Sequence, residues 1–159
     1  MITLKSAVAL GFALTAFTAN DAWAHPCNGY VVSKALSPIT MREAPDGSKV
    51  LWIGSEGLFI VLNPADHPAN MANRICAGGI KIAPDGKSGA AVGSCAYTDM
   101  SGDVFHLSWQ SGLTEGTWEF VSGTGKFAGL SGSGKFWPSK RFDNQWGKST
   151  WEGECSFAQ

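Results

Sequence analysis

The sequence predicts an all-β protein: a small antiparallel meander of about eight strands that closes on itself. Three observations carry the prediction. Turn signals recur at short intervals, at Pro45-Asp46-Gly47, Gly54-Ser55-Glu56-Gly57, Asn63-Pro64-Ala65-Asp66, Pro84-Asp85-Gly86 and Ser101-Gly102. Between them, apolar and polar residues alternate with the period of two that a half-buried strand requires. Finally, Ser122-Gly123-Thr124-Gly125-Lys126-Phe127-Ala128-Gly129-Leu130-Ser131-Gly132-Ser133-Gly134-Lys135-Phe136 is too rich in glycine for a helix, since each interior glycine costs about 1 kcal/mol relative to alanine. Short strands joined through a tight glycine corner tolerate that composition.

The elements follow in order. A positive residue, Lys5, an apolar run over 7–17 too short to span a bilayer, and the small-residue site Ala22-Trp23-Ala24 read as a signal peptide over residues 1–24. The remainder, 25–159, is expected to be one barrel domain that is exported to the periplasm or beyond. Strand-like runs lie at 30–35, 50–53, 58–62, 75–82, 89–97, 104–110, 116–122, 134–137 and 149–157, one more than an eight-stranded barrel needs. Phe105, Leu107 and Trp109 share one face, opposite Val104, His106, Ser108 and Gln110. The polar stretch 64–74 is the one long connection and has room for a turn of helix. A closed meander has no edge strands to protect.

The net charge is −1 and no basic run occurs, so nucleic-acid binding lacks its electrostatic footprint. The mature chain carries no second apolar segment long enough to span a membrane, and it is compatible with a homo-oligomer. Its four cysteines have neither C-x₂-C nor H-x₃-H spacing, which removes the usual zinc patterns. In an oxidising compartment they form two disulfides. Cys76 and Cys95 flank the turn at Pro84-Asp85-Gly86. A four-residue loop over 84–87 would set them directly opposite; a three-residue turn would offset them by one. Either pairs them and leaves Cys27 to join Cys155 at the two ends of the chain.

Asp99-Met100-Ser101-Gly102-Asp103, Trp109, Gly116-Thr117-Trp118-Glu119-Phe120, the glycine corner and Trp151-Glu152-Gly153 together resemble the bacterial allene oxide cyclase barrel-like family. The corner itself, Gly-Thr-Gly-x-Phe-x-Gly-x-x-Gly, is similar to that of the allene oxide cyclase and dirigent barrels, a calycin-like architecture. The resemblance covers about the C-terminal half of the mature chain. It implies a closed eight-stranded antiparallel barrel with a cavity open at one end. Plant members are cyclases or guide radical coupling. Two departures limit the transfer of activity. Dirigent proteins carry an Ala-Arg pair after the corner phenylalanine, where this chain has Gly129-Leu130-Ser131, and no segment matches the strand that bears the cyclase carboxylate.

Candidate chemistry is sparse. Glu56 has two readings. If 50–62 is one bulged strand, Glu56 shares a face with Val50, Trp52, Leu58 and Ile60, where desolvation would raise its pKa and suit a general acid or base. If the flanking glycines mark a turn, which they favour, it lies in water. His106 is the second catalytic candidate, on the polar face of its strand; His67, in a loop, reads as a surface residue. Trp52, Trp109 and Trp118 are the candidate ligand walls, because large rings in a small barrel either fill it or line a cavity. Gly123, Gly125, Gly129, Gly132 and Gly134 read as architectural, with Phe127 and Phe136 reaching inward, rather than as an anion-binding nest. No metal or cofactor is expected. The one metal alternative is copper at a mature N-terminal His25, which needs a second histidine, His67 or His106. The function expected is therefore binding of a small apolar or aromatic molecule. The alternative is a cofactor-independent cyclisation or isomerisation in the same cavity.

Overall fold

The computed structural model describes residues 24–157; the expected leader, up to Trp23, lies outside the described residues. The strands are β1 (His25–Ala35), β2 (Ile39–Glu43), β3 (Lys49–Asn63), β4 (Ala72–Ile82), β5 (Gly89–Thr98), β6 (Val104–Ser111), β7 (Gly116–Gly123), β8 (Ser131–Arg141) and β9 (Trp146–Ser156), with a 3₁₀ turn at Gly125–Phe127. All pairings are antiparallel. From β3 to β9 the sheet is a meander, and β1 closes it by pairing with both β9 and β3. Eight strands thus form the barrel. The ninth, β2, pairs only with the first part of β3, beyond the reach of β1.

Two sequence expectations change here. The runs 50–53 and 58–62 are one fifteen-residue strand, and Gly54-Ser55-Glu56-Gly57 is not a turn. The glycines serve close approach instead: a Cβ on Gly57 would lie 2.1 Å from the Val32 carbonyl oxygen of β1. Strand β2 went unrecognised, although Pro45-Asp46-Gly47 does form the turn that joins it to β3. There Gly47 takes φ +84°, and the Ser48 amide donates to Asp46 Oδ1 at 2.9 Å. The connection before β4 holds turns and no helix among the described residues.

Both disulfides form. Cys76 and Cys95 are direct cross-strand partners on β4 and β5, because Pro84 to Lys87 is the four-residue loop: Ala83 N–H donates to Ser88 O at 2.9 Å. Cys27 of β1 and Cys155 of β9 are joined with Cα atoms 5.8 Å apart, both fully buried.

One end of the barrel is packed solid. Phe105 and Phe127 are fully buried there, with Val61, Ala69, Ala72 and Leu130 around them. The two motifs read together in the sequence are one structural knot at this end. Asp99 Oδ1 accepts from the amides of Ser101 and Asp103, and its carboxylate pairs with Lys126 Nζ of the corner. That pair, foremost, holds the Asp99 pKa down at about 2. The corner's amides are used within the fold: Thr124 N–H donates to Val104 O, Lys126 N–H to Asp103, and Ala128 N–H to Gly125 O. Most of the corner's amides are thus tied to its own backbone and to Asp103.

Gly125 sits at φ +51°, and a Cβ on it would strike the Asp103 carboxylate. A β-branched residue adopts that backbone region only under strain. Gly125→Val is expected to destabilise the protein by more than about 1 kcal/mol in urea titration. An unchanged midpoint would show that the corner is not architectural.

Candidate functional site

Inward-facing side chains follow from strand alternation pinned by the buried cysteines. On β4 they are Ala72, Arg74 and Cys76; on β5, Ala91, Cys95 and Tyr97. Ala72 belongs to the packed end; above it the others help to enclose a cavity of about 520 Å³, open at the other end. That volume falls within the range of small-molecule sites.

The cavity survives because the large rings are seated against its walls. Cβ atoms on Gly78 and Gly93 would lie 2.8 and 2.5 Å from the Trp109 ring. These glycines are cross-strand partners, and Gly93 is in turn the partner of Trp109. Trp118 is seated in the same way on Gly134 and Gly153, at 2.8 and 2.6 Å. A side chain at any of those four positions would strike the neighbouring strand's carbonyl oxygen and crowd the indole as well. Trp151 completes the aromatic wall. It stacks on Phe59 with centroids 4.7 Å apart and meets Trp118 edge-on at 5.9 Å.

Among the described residues, the polar lining consists of two arginines, the indole N–H groups, the Tyr97 phenol and four serine hydroxyls. Arg74 donates from Nη1 to Ser55 Oγ at 3.0 Å, while its Nε is buried without a partner. Tyr97 is fully enclosed beside it. Burial pushes the phenol pKa up, against the opposing charge and hydrogen bond of Arg74. The indole N–H groups of Trp109 and Trp151 are buried without an acceptor, whereas that of Trp118 donates to Lys135 O at 3.2 Å. Arg141, exposed at the rim, donates to Asn144 O at 3.1 Å. No carboxylate is among the described residues that line the cavity.

The expected site residues divide. Trp109 and Trp118 line the cavity, as does Phe136 of the glycine corner. Trp52 does not: it lies on the face of β3 opposite Ile53. Glu56 is in a strand and shares its face with Val50, Trp52, Leu58 and Ile60, but that face is the outer one. Its side chain is 54% exposed and lies 4.0 Å from Lys34 Nζ, on the solvent side of the barrel wall. His106 also faces outward, exposed, with Nδ1 3.3 Å from Ser122 Oγ. Neither reaches the lumen. Arg74 and Tyr97 were missed by sequence reasoning, although each stands two residues from an inward cysteine.

His67 is not a surface residue; it is 3% exposed beneath the packed end, edge-on to Phe157 at 4.7 Å. Its ring centroid lies 6.2 Å from that of His25. Yet Nδ1 accepts the Ala69 amide at 3.1 Å, which leaves the ring proton of the neutral form on Nε2. A metal at Nε2 would have to break that bond, and no group of three ligating side chains occurs among the described residues. Desolvation, with the neighbouring His25, lowers the His67 pKa to about 4.

The unfolded chain takes up that proton first, near pH 6.5, so stability is expected to fall as pH drops from about 6.5 to about 4. His67→Asn keeps an acceptor for Ala69 and does not titrate. Its melting temperature is expected to decline less across that window than the wild type's. Parallel slopes would remove His67 from the acid response.

No family model matches the chain, and no curated protein matches it. Among solved structures, a pterocarpan synthase dirigent protein, GePTS1, aligns over 84% of this chain and 86% of its own, with a TM-score of 0.50 and 14% identity. The barrel is dirigent-like. At that identity the likeness concerns the fold, and the dirigent-like barrel carries its own cavity residues. Among the described residues no helix is long and apolar enough to cross a membrane.

Proposed function

We propose that this dirigent-like barrel is an exported ligand-binding module that holds a small apolar or aromatic molecule between its tryptophan walls. The observation that carries the reading is the seating of Trp109 and Trp118 on cross-strand glycines, which keeps about 520 Å³ of lumen open where larger residues would fill it. The two disulfides favour an oxidising compartment. The narrower likeness to the bacterial allene oxide cyclase barrel-like family belongs to the same reading. It rests on the Asp99–Asp103 turn and the corner that Lys126 ties to it. Cyclisation in the cavity is the weaker alternative, because Glu56 and His106, its proton-transfer candidates, stand on the outer face.

Fluorescence titration with the neutral probe N-phenyl-1-naphthylamine tests the proposal. Ile80 is half-buried and faces the lumen, so Ile80→Trp fills space rather than crowding a packed core. The wild type is expected to bind the probe saturably, and the variant at least about tenfold more weakly at an unchanged melting temperature. Equal binding by a folded variant would place the probe elsewhere and overturn the assignment.

A further inference from the structure

We propose that the ligand is an organic carboxylate whose aromatic or alicyclic body lies against the tryptophans and whose carboxylate is held by Arg74 and Tyr97. The inference rests on the ligand-binding reading above and adds the chemical class of ligand.

Arg74 faces the lumen, since Ala72 and Cys76 on either side of it are buried and Asn73 and Ile75 are exposed. Its accessible part therefore opens into the cavity. The ion pairs among the described residues are Lys34–Glu56, Lys49–Glu43 and Lys126–Asp99, none of which includes it. Nor does any carboxylate of the described residues line the space it faces. A guanidinium in a mainly apolar lumen is costly without a counter-charge. The partners it has, the Ser55 hydroxyl and the Tyr97 phenol, carry no charge. The missing partner is an anion.

The surroundings select which anion. The guanidinium donates to Ser55 Oγ and to the Tyr97 phenol oxygen, which fixes its plane and leaves the phenol proton to donate to a ligand. A planar fork of this kind matches a carboxylate in two parallel hydrogen bonds. A phosphate would bring nearly two charges to one interior cation, since Arg141 stands out at the rim. The aromatic walls above Arg74 provide for an apolar body.

Calorimetric titration at neutral pH with 2-naphthoate and 2-naphthamide tests this, because the two share a ring system and differ in charge. The wild type is expected to prefer the naphthoate by at least about tenfold. Arg74→Met is expected to abolish the preference while naphthamide still binds, and Arg74→Lys to keep part of it. Equal affinities in the wild type, a comparison that needs no variant, would overturn the carboxylate assignment and leave the ligand-binding reading intact. A preference that survives in a folded Arg74→Met would remove Arg74 as the anchor. Failure of both compounds to bind would overturn both readings.

Discussion

Phe105→Ala is expected to cost about 3–5 kcal/mol, the range for truncating a fully buried aromatic ring. Phe105 has no exposed surface and touches rings on four other elements or turns. It stacks on Tyr97 at 4.5 Å and lies edge-on to Phe127 at 4.8 Å, Phe120 at 5.6 Å and Phe59 at 6.1 Å. These rings come from β5, the glycine corner, β7 and β3, so one truncation opens a void where the barrel is closed. The void has little chance to collapse, because strand pairing fixes the distances around it. Urea titration should show a lower midpoint with an unchanged slope. A loss below about 1 kcal/mol would mean that the packed end is not the stabilising core.

Removing the Cys27–Cys155 bond, as Cys27→Ala with Cys155→Ala, is expected to cost a similar amount, about 3–5 kcal/mol in the chain-entropy view. The bond spans 128 residues and joins the first strand to the last, which is where the barrel closes. The bond between Cys76 and Cys95 spans only 19 residues within one hairpin, and its loss should cost less. Comparing the two double variants by urea titration checks the ordering. A larger loss from the hairpin pair would contradict it.

Much of this fold was legible because it depends on local rules. Turn residues at Pro45, Pro84 and Ser101 mark hairpins, and the Pro84–Lys87 loop length sets Cys76 opposite Cys95. What failed had a non-local cause. Gly54 and Gly57 look like turn residues, yet they sit in a strand: β1 passes close against Gly57, and the Trp52 ring and Leu36 lie against Gly54. Alternation correctly grouped Glu56 with Val50, Trp52, Leu58 and Ile60, but period two does not say which group faces the lumen.

The same limit hid Arg74 and Tyr97. Cys76 and Cys95 fix the inward face of β4 and β5, and stepping two residues from each reaches the cavity's central polar pair. His67 was misread for a different reason. A histidine in a polar loop suggests solvent, whereas this loop folds under the closed end and buries the ring against Phe157.

The indole N–H resonances of the tryptophans test the central claim most directly, because the rings report separately from inside and outside the barrel. In a ¹⁵N-resolved titration with N-phenyl-1-naphthylamine, the signals of Trp109, Trp118 and Trp151 are expected to shift saturably. Those of Trp52, on the outer face, and Trp146, exposed on β9, should stay in place. Shifts confined to Trp52 and Trp146, or no saturable shift in the three inner indoles, would contradict a ligand site in the lumen.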